Sequence, residues 1–252
     1  MKEELLFYSA YQNFYKMADN IEVFKTYCKR AFGEDFSQDG FSDIKQLNKI
    51  LSMVELDENA CVLDIGCGNG KMLEYIHNKV GAEIYGFDYS EIAIESAMQR
   101  IGNRGNFHVA LIGEAEYQEN KFDLITSMDT MYFAPDMSAL VSQIYRWLKP
   151  NGSFICGYQE GDIMDKTENH DTTALVKAFK QNGLKYTVTN YTRETYDMLK
   201  LKREVIISMQ DDFKKAGIDM WYEVVKRQTN SAMIPYDEYR KKNARYIYTF
   251  RK

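Results

Sequence analysis

The chain has 252 residues, 45% hydrophobic and 27% charged, and carries a formal net charge of −5. That length is enough to bury a full core in one α/β domain with an added cap. The acidic balance argues against a polyanion binder, which depends on clustered Lys and Arg. Four cysteines (Cys28, Cys61, Cys67, Cys156) and three scattered histidines lack CxxC pairing and metal-ligand spacing, so no metal site is expected.

Residues 1–55 read as helices with an aromatic face, Phe7, Tyr8, Tyr11, Phe14 and Tyr15 recurring at helical spacing, followed by a turn near Gly33 to Gly40. The opening Met1-Lys2-Glu3-Glu4 leads into no signal-peptide core, and no apolar run reaches membrane-spanning length, so a cytoplasmic protein is expected. From Ala60 to Tyr158 strand and helix alternate. The strands are predicted at 61–65, 83–87, 106–111, 122–127 and 153–158, the helices at 70–80, 91–101 and 137–148. Such alternation predicts a parallel, doubly wound α/β sheet that binds ligands at the carboxyl ends of its strands. Past Tyr158 the pattern lapses: residues 159–182 look helical with a polar start, 185–188 read as a strand, and 195–215 as one long helix. An alternating strand, 244–250, closes the chain, and the basic run from Arg240 to Lys252 reads as a solvated helix and edge strand.

The segment Val62-Leu63-Asp64-Ile65-Gly66-Cys67-Gly68-Asn69-Gly70 carries the most chemistry. Val62 to Ile65 form a buried strand, and the alternating glycines let a ligand approach the backbone. A dinucleotide fingerprint would place its third glycine later and would hold a pyrophosphate on the helix N-terminus. Here Asp64 stands two residues before the first glycine, where it repels pyrophosphate and suits a cationic amino group. Asp88 ends the next strand, Glu83-Ile84-Tyr85-Gly86-Phe87, where a carboxylate can take a ribose diol. The bland alternative is a tight turn that binds nothing. Cys67 reads as a small filler rather than a nucleophile, since nothing near it in sequence generates a thiolate.

This segment resembles motif I of the class I S-adenosylmethionine-dependent methyltransferases, and the resemblance runs from about Asp57 to Tyr158. It implies a Rossmann-like methyltransferase fold: a mostly parallel, seven-stranded, doubly wound sheet with an N-terminal helical lid (1–55), a cofactor-binding core (56–158), and a cap insertion with a C-terminal strand (159–252). It also implies a bound donor, S-adenosylmethionine, leaving as S-adenosylhomocysteine. In that class Asp64, Gly66, Cys67 and Gly68 would face the methionine part, Asp88 the ribose hydroxyls and Tyr89 the nucleoside. Glu114 with Ala115 would meet adenine, and Phe122 to Ser127 would end beside the reacting methyl. Tyr145 to Gly152 resembles the class's helix–turn element before the fifth strand.

A narrower likeness is to the small-amine N-methyltransferases, the phosphoethanolamine enzymes and more loosely the sarcosine and dimethylglycine ones, carried by Asn13-Phe14-Tyr15 and by Phe32-Gly33-Glu34-Asp35-Phe36-Ser37-Gln38-Asp39-Gly40. It implies Tyr15 above the reaction centre, Ser37 and Gln38 at the donor's carboxylate end, and Tyr158 against substrate. Phosphoethanolamine enzymes place a histidine after the fourth strand; here that position is Phe133, which predicts a different substrate.

Methyl transfer from a sulfonium asks the protein to align donor and acceptor and to exclude water. An amine must lose a proton first, and Tyr15, then Asp129, are the candidates to assist; against that role, Asp129 also reads as a plain helix N-cap. Tyr11, Tyr132, Phe133, Tyr158 and Trp221 are candidates to line a cation-stabilising pocket, although with 14% aromatic residues many such rings are simply core. Arg193 reads either as a carboxylate grip or as a surface arginine. The expectation is N-methylation of a small amine by a monomer or homodimer without nucleic-acid or membrane partners. The rivals are an O- or C-methyltransferase of a small metabolite, an RNA methyltransferase and a non-catalytic donor-binding module. The segment after the fourth strand, Ser127-Met128-Asp129-Thr130, lacks the Asn/Asp-Pro-Pro-aromatic motif of base-amine methylation.

Overall fold

A computed structural model describes residues 7–37 and 40–252. Five strands run parallel: β1 (Cys61–Ile65), β2 (Glu83–Asp88), β3 (Gly105–Val109), β4 (Phe122–Met128) and β5 (Leu148–Glu160). With β6 (Tyr186–Asn190) and β7 (Ala244–Arg251) they form one seven-stranded sheet in the order β3-β2-β1-β4-β5-β7-β6, β7 running antiparallel to both of its neighbours.

Neighbouring residues of β1 point to opposite faces, and each face has its own helices, which is why the strand is apolar throughout. On one side α3 (Ile44–Leu51), α4 (Lys71–Val80) and α5 (Glu91–Ile101) bring Leu47, Leu73, Ile76 and Ile94 over Val62 and Ile84. On the other, α6 (Met137–Trp147) and α7 (Ala174–Gln181) bring Leu140, Ile144, Trp147 and Phe179 over Leu63, Ile125 and Phe154. Each fully buried side chain of this kind contributes roughly 1.5–3 kcal/mol. Side-chain caps set the helix starts: Asp43 accepts from the Gln46 N–H, Ser90 from Ala93 and Asp136 from Ala139. The doubly wound α/β sheet expected from the alternation is the observed one.

The remaining helices form a third layer. α1 (Tyr8–Ala18) and α2 (Glu22–Phe32) come from the N-terminal segment; α8 (Thr192–Ser208), α9 (Gln210–Lys215), α10 (Asp219–Gln228) and α11 (Tyr236–Lys242) come from the stretch between β6 and β7. Both sets share one core, in which Phe14, Phe24, Tyr27 and Phe32 meet Leu199, Ile206, Phe213 and Tyr222. The N-terminal helices and those between β6 and β7 are therefore packed as one body.

Several boundaries differ from the sequence reading. The helix expected over 195–215 breaks at Met209, which serves as C-cap of α8 and N-cap of α9. Within 159–182 only α7 is α-helical, preceded by a short 3₁₀ turn, His170–Thr172, because β5 itself continues to Glu160. The Asn151-Gly152 turn signal lies inside β5, where Asn151 takes a left-handed φ of 69°. The C-terminal strand is not an edge strand: β7 lies between β5 and β6, and β6 is the edge. Its basic run is not wholly solvated either, since Arg245 is fully buried.

Candidate active site

β1 and β4 are adjacent and their following helices cover opposite faces, which opens a crevice at the carboxyl end of β1. The chain turns there through Gly66 (φ 73°) and Gly68 (φ 53°) before α4 begins. A Cβ on Gly66 would overlap the Thr130 side chain, and one on Gly68 the Tyr15 hydroxyl. The turn is tied to β2, since the N–H groups of Gly66 and Cys67 donate to the Phe87 carbonyl at 2.9 and 3.0 Å. A cavity of about 660 Å³ opens in front of it.

Two carboxylates stand at its inner end. Asp64 accepts from the Thr126 hydroxyl at 2.7 Å, and Asp88 accepts from the N–H groups of Gly68 at 3.0 Å and Ser90 at 2.8 Å. Burial lifts Asp64 to about 7, against the pull of the Thr126 hydrogen bond, and nearby Asp88 adds a smaller push the same way. Asp88 rises to about 6 through burial, its backbone N–H donors holding it down in part. Burial thus disfavours the charged form of both acids, a cost that a cation placed between them would offset.

The other end of the cavity is aromatic. Tyr11, Tyr15, Tyr89, Tyr132 and Phe133 line it together with Asp129 and Thr130. Tyr11 and Tyr15 stack at 6.3 Å between centroids, 25° apart, and Tyr11 also meets Tyr89 edge-on. Burial first, then the charge of Asp88, holds the Tyr15 hydroxyl well above the usual phenol range, so it is a neutral hydrogen-bonding group. Asp129 sits just past β4 in a left-handed conformation (φ 62°), its N–H donating to the Gly157 carbonyl at 3.0 Å. It is no helix cap, because Asp136 caps α6. Its Oδ1 is engaged by the guanidinium of Arg245.

Of the residues named from sequence, Tyr11, Tyr15, Asp64, Gly66, Cys67, Gly68, Asp88, Tyr89, Glu114, Asp129, Tyr132 and Phe133 share this one cavity wall. Four others are not on it. Ser37 is buried beyond the end of α2, its hydroxyl donating to Asp35 and accepting from Lys71. Ala115 is packed in the core, Ser127 is buried against the Thr130 hydroxyl, and Tyr158 lies fully buried between Tyr132 and Tyr248. Trp221 packs on Phe14 among the helices, and Arg193 pairs on the surface with Asp197. Gln38 lies outside the described residues. Sequence reasoning missed Thr130, Met72, Leu111 and Ile112 on the wall, and Arg245 behind it. The apolar three carry no motif. Arg245 was hidden in a run of cations whose other members are mostly exposed.

The segments after α1 and α2 are pinned to the glycine turn by a polar cluster. Lys71, first residue of α4, pairs with Asp35 at 2.8 Å and reaches Asp19 at 3.7 Å, while Asp19 also accepts from Asn69 and Ser96, both at 2.6 Å. Among the described residues no group of three His, Cys, Asp or Glu side chains could hold a metal ion, and no helix is long and apolar enough to cross a membrane.

Three kinds of comparison bear on this arrangement. A family model described as a methyltransferase domain matches residues 56–229. The phosphoethanolamine N-methyltransferase of Plasmodium falciparum is 37% identical over 128 residues, covering 49% of this chain and 47% of that protein. Among solved structures, a Haemonchus contortus phosphoethanolamine N-methyltransferase 2 in complex with phosphomonomethylethanolamine and S-adenosylhomocysteine superposes with a TM-score of 0.77 at 20% identity, covering 96% of this chain and 60% of that one. A protein from Galdieria sulphuraria, titled as a sarcosine dimethylglycine methyltransferase, gives 0.67 at 16% identity over 82% and 84% of the two chains. The chain thus spans about half the length of the curated relative it matches.

Proposed function

The chain belongs to the methyltransferase-domain family, and from that premise we propose that it transfers a methyl group from S-adenosylmethionine to the nitrogen of a small, unphosphorylated amine. One observation carries the reading: the cavity wall holds Asp64, Asp88, Glu114 and Asp129 and, among the described residues, no Lys, Arg or His. Such a wall attracts a cationic donor and a cationic acceptor and offers a phosphate no countercharge. The related proteins named for phosphoethanolamine share only part of their length with this chain, and Phe133 occupies a cavity position where a histidine would be needed for that likeness.

The residues present fit the donor. Gly66 and Gly68 clear the approach, Asp64 offers a carboxylate to its ammonium end and Asp88 one to its ribose diol. When bound, S-adenosylmethionine supplies an electrophilic methyl on a sulfonium. Tyr15 lies against Gly68 at the junction of the acidic and aromatic ends, where its neutral hydroxyl orients the attacking nitrogen and accepts a hydrogen bond from it. Tyr132 and Phe133 exclude water and offer π faces to a cationic nitrogen, each worth about 0.5–2 kcal/mol. Methylation of oxygen or carbon is the second reading, since aromatic walls also suit phenols.

The test is calorimetric titration with S-adenosylmethionine, then assay of S-adenosylhomocysteine release with ethanolamine, phosphoethanolamine, glycine, dimethylglycine, phenols and carboxylic acids. Turnover of an unphosphorylated amine above the rest is expected. Preference for phosphoethanolamine or a phenol would overturn the substrate assignment, and donor binding without any turnover would leave a binding module.

A further inference from the structure

Arg245 is the largest fully buried charged side chain described in the protein, and nothing in its immediate sequence explains why a guanidinium should be there. A buried cation without partners is strongly unfavourable. Its partners come from two distant segments. Nη1 donates to Asp129 Oδ1 past the end of β4; Nη2 donates to Ser42 Oγ at 3.1 Å and to Gln46 Oε1 at 2.9 Å, both at the start of α3. Ser42 Oγ in turn donates to Gln46 Oε1 at 2.7 Å. The guanidinium crosses β5 at Gly157, where a Cβ would lie 2.6 Å from Nη2, so the strand has been left bare to let it through.

The consequence falls on Asp129. Its side chain is 11% exposed and lines the cavity, whereas Arg245 is behind the wall at 0%. Oδ1 is taken by Arg245, and Oδ2 has no protein partner among the described residues. A carboxylate in this position with no partner behind it would be free to swing, and the guanidinium on Oδ1 holds it in one orientation.

We propose that Arg245 is a positioning residue for the methyl acceptor: it holds Asp129 as a fixed carboxylate whose free oxygen takes a cationic amine nitrogen at the aromatic end of the cavity. Asp129 is then the charge that selects and seats the acceptor as a cation, and the nitrogen attacks the methyl only after releasing one proton to solvent. This rests on the small-amine reading above and adds to it a way of telling a cationic acceptor from a neutral one.

The experiment measures binding and turnover in Arg245→Gln, Arg245→Lys and Asp129→Asn. Binding of tetramethylammonium and of its neutral analogue tert-butanol to the S-adenosylhomocysteine-loaded protein is compared first, so that the outcome does not depend on finding the substrate. Wild type is expected to prefer the cation at least tenfold. Asp129→Asn and Arg245→Gln should lose that preference, and Arg245→Lys should restore part of it. With whichever amine is turned over, KM should rise at least tenfold in Arg245→Gln while kcat changes less than threefold and donor affinity less than twofold. Absence of a cation preference in wild type, or its survival in Asp129→Asn, overturns the proposal, as does an Arg245→Gln protein that binds donor normally with KM unchanged. Asp129→Asn keeps the test decisive if Arg245→Gln does not fold. A wild-type protein that prefers the cation but methylates no amine would refute the activity and leave the positioning role standing.

Discussion

Replacing Asp64 with Asn should make the donor-free protein more stable and the donor-binding protein nearly useless. In the unfolded chain the Asp64 carboxyl titrates near 3.8, and burial carries it to about 7 in the fold. Below the lower value it is protonated in both states. Between the two the unfolded chain releases its proton first, so stability falls as pH rises and levels off above about 7. The interval corresponds to about 4 kcal/mol at most, or about 2 where cavity water screens the charge. Asn is isosteric, keeps an oxygen for the Thr126 hydroxyl and does not ionise. Without donor, Asp64→Asn should therefore match wild type near pH 4, pull ahead progressively, and melt roughly 5–10 °C higher at pH 8, given about 2–4 °C per kcal/mol for a chain of this size. Asp88 is present in both proteins and largely cancels. The same variant should bind S-adenosylmethionine at least tenfold more weakly. Thermal melts from pH 4 to 8 and one donor titration suffice. A gap independent of pH, or a variant less stable than wild type at pH 8, would refute the idea that the acid is held against its preference for the sake of a cation.

Tyr15→Phe should cut turnover at least tenfold and leave donor affinity nearly intact, because the ring still fills its place beside Gly68 and only the hydroxyl is lost; unchanged kcat in a steady-state assay removes Tyr15 from the chemistry. Gly68→Ala places a methyl on the Tyr15 hydroxyl in a backbone with φ of 53°, so donor affinity should drop at least tenfold by calorimetry, and wild-type affinity would contradict the close approach described. Lys71→Met removes the cation that joins Asp35 and Asp19 to the glycine turn, an ion pair with side chains only 12% and 13% exposed on the Asp35 side. Limited proteolysis near residues 33–37 should quicken and donor release in stopped flow should speed up several-fold, and unaltered rates of both would show that the cluster does not restrain the segment after α2.

The parts of this protein legible in its sequence are those in which neighbours along the chain settle the structure. Strand, glycine turn and helix follow one another within Cys61–Val80, and the acids at 64 and 88 occupy the ends of two strands paired in register, Ile65 opposite Phe87. Periodicity suffices there, and the family likeness reached the same residues. Tyr11 and Tyr15 reach the cavity together because helical spacing puts them on one face of α1. Ser37, Ala115, Ser127 and Tyr158 lie off the cavity wall for a common reason: proximity to a motif says nothing about which way a side chain turns, and in the fold these four turn into packing.

What only the tertiary structure decided is everything that joins segments far apart. A basic tail read as solvated surface because six cations in thirteen residues are normally a wet face. Insertion of β7 between β5 and β6 instead carried one of them inward, across a glycine in β5, to an acid 116 positions earlier. The N-terminal helices and those between β6 and β7 likewise share a single core although nothing in either stretch announces the other. Local pattern sets strands, turns and helix faces because it acts through adjacent bonds; the partner of a buried charge is chosen by desolvation, which depends on what the whole fold brings around it.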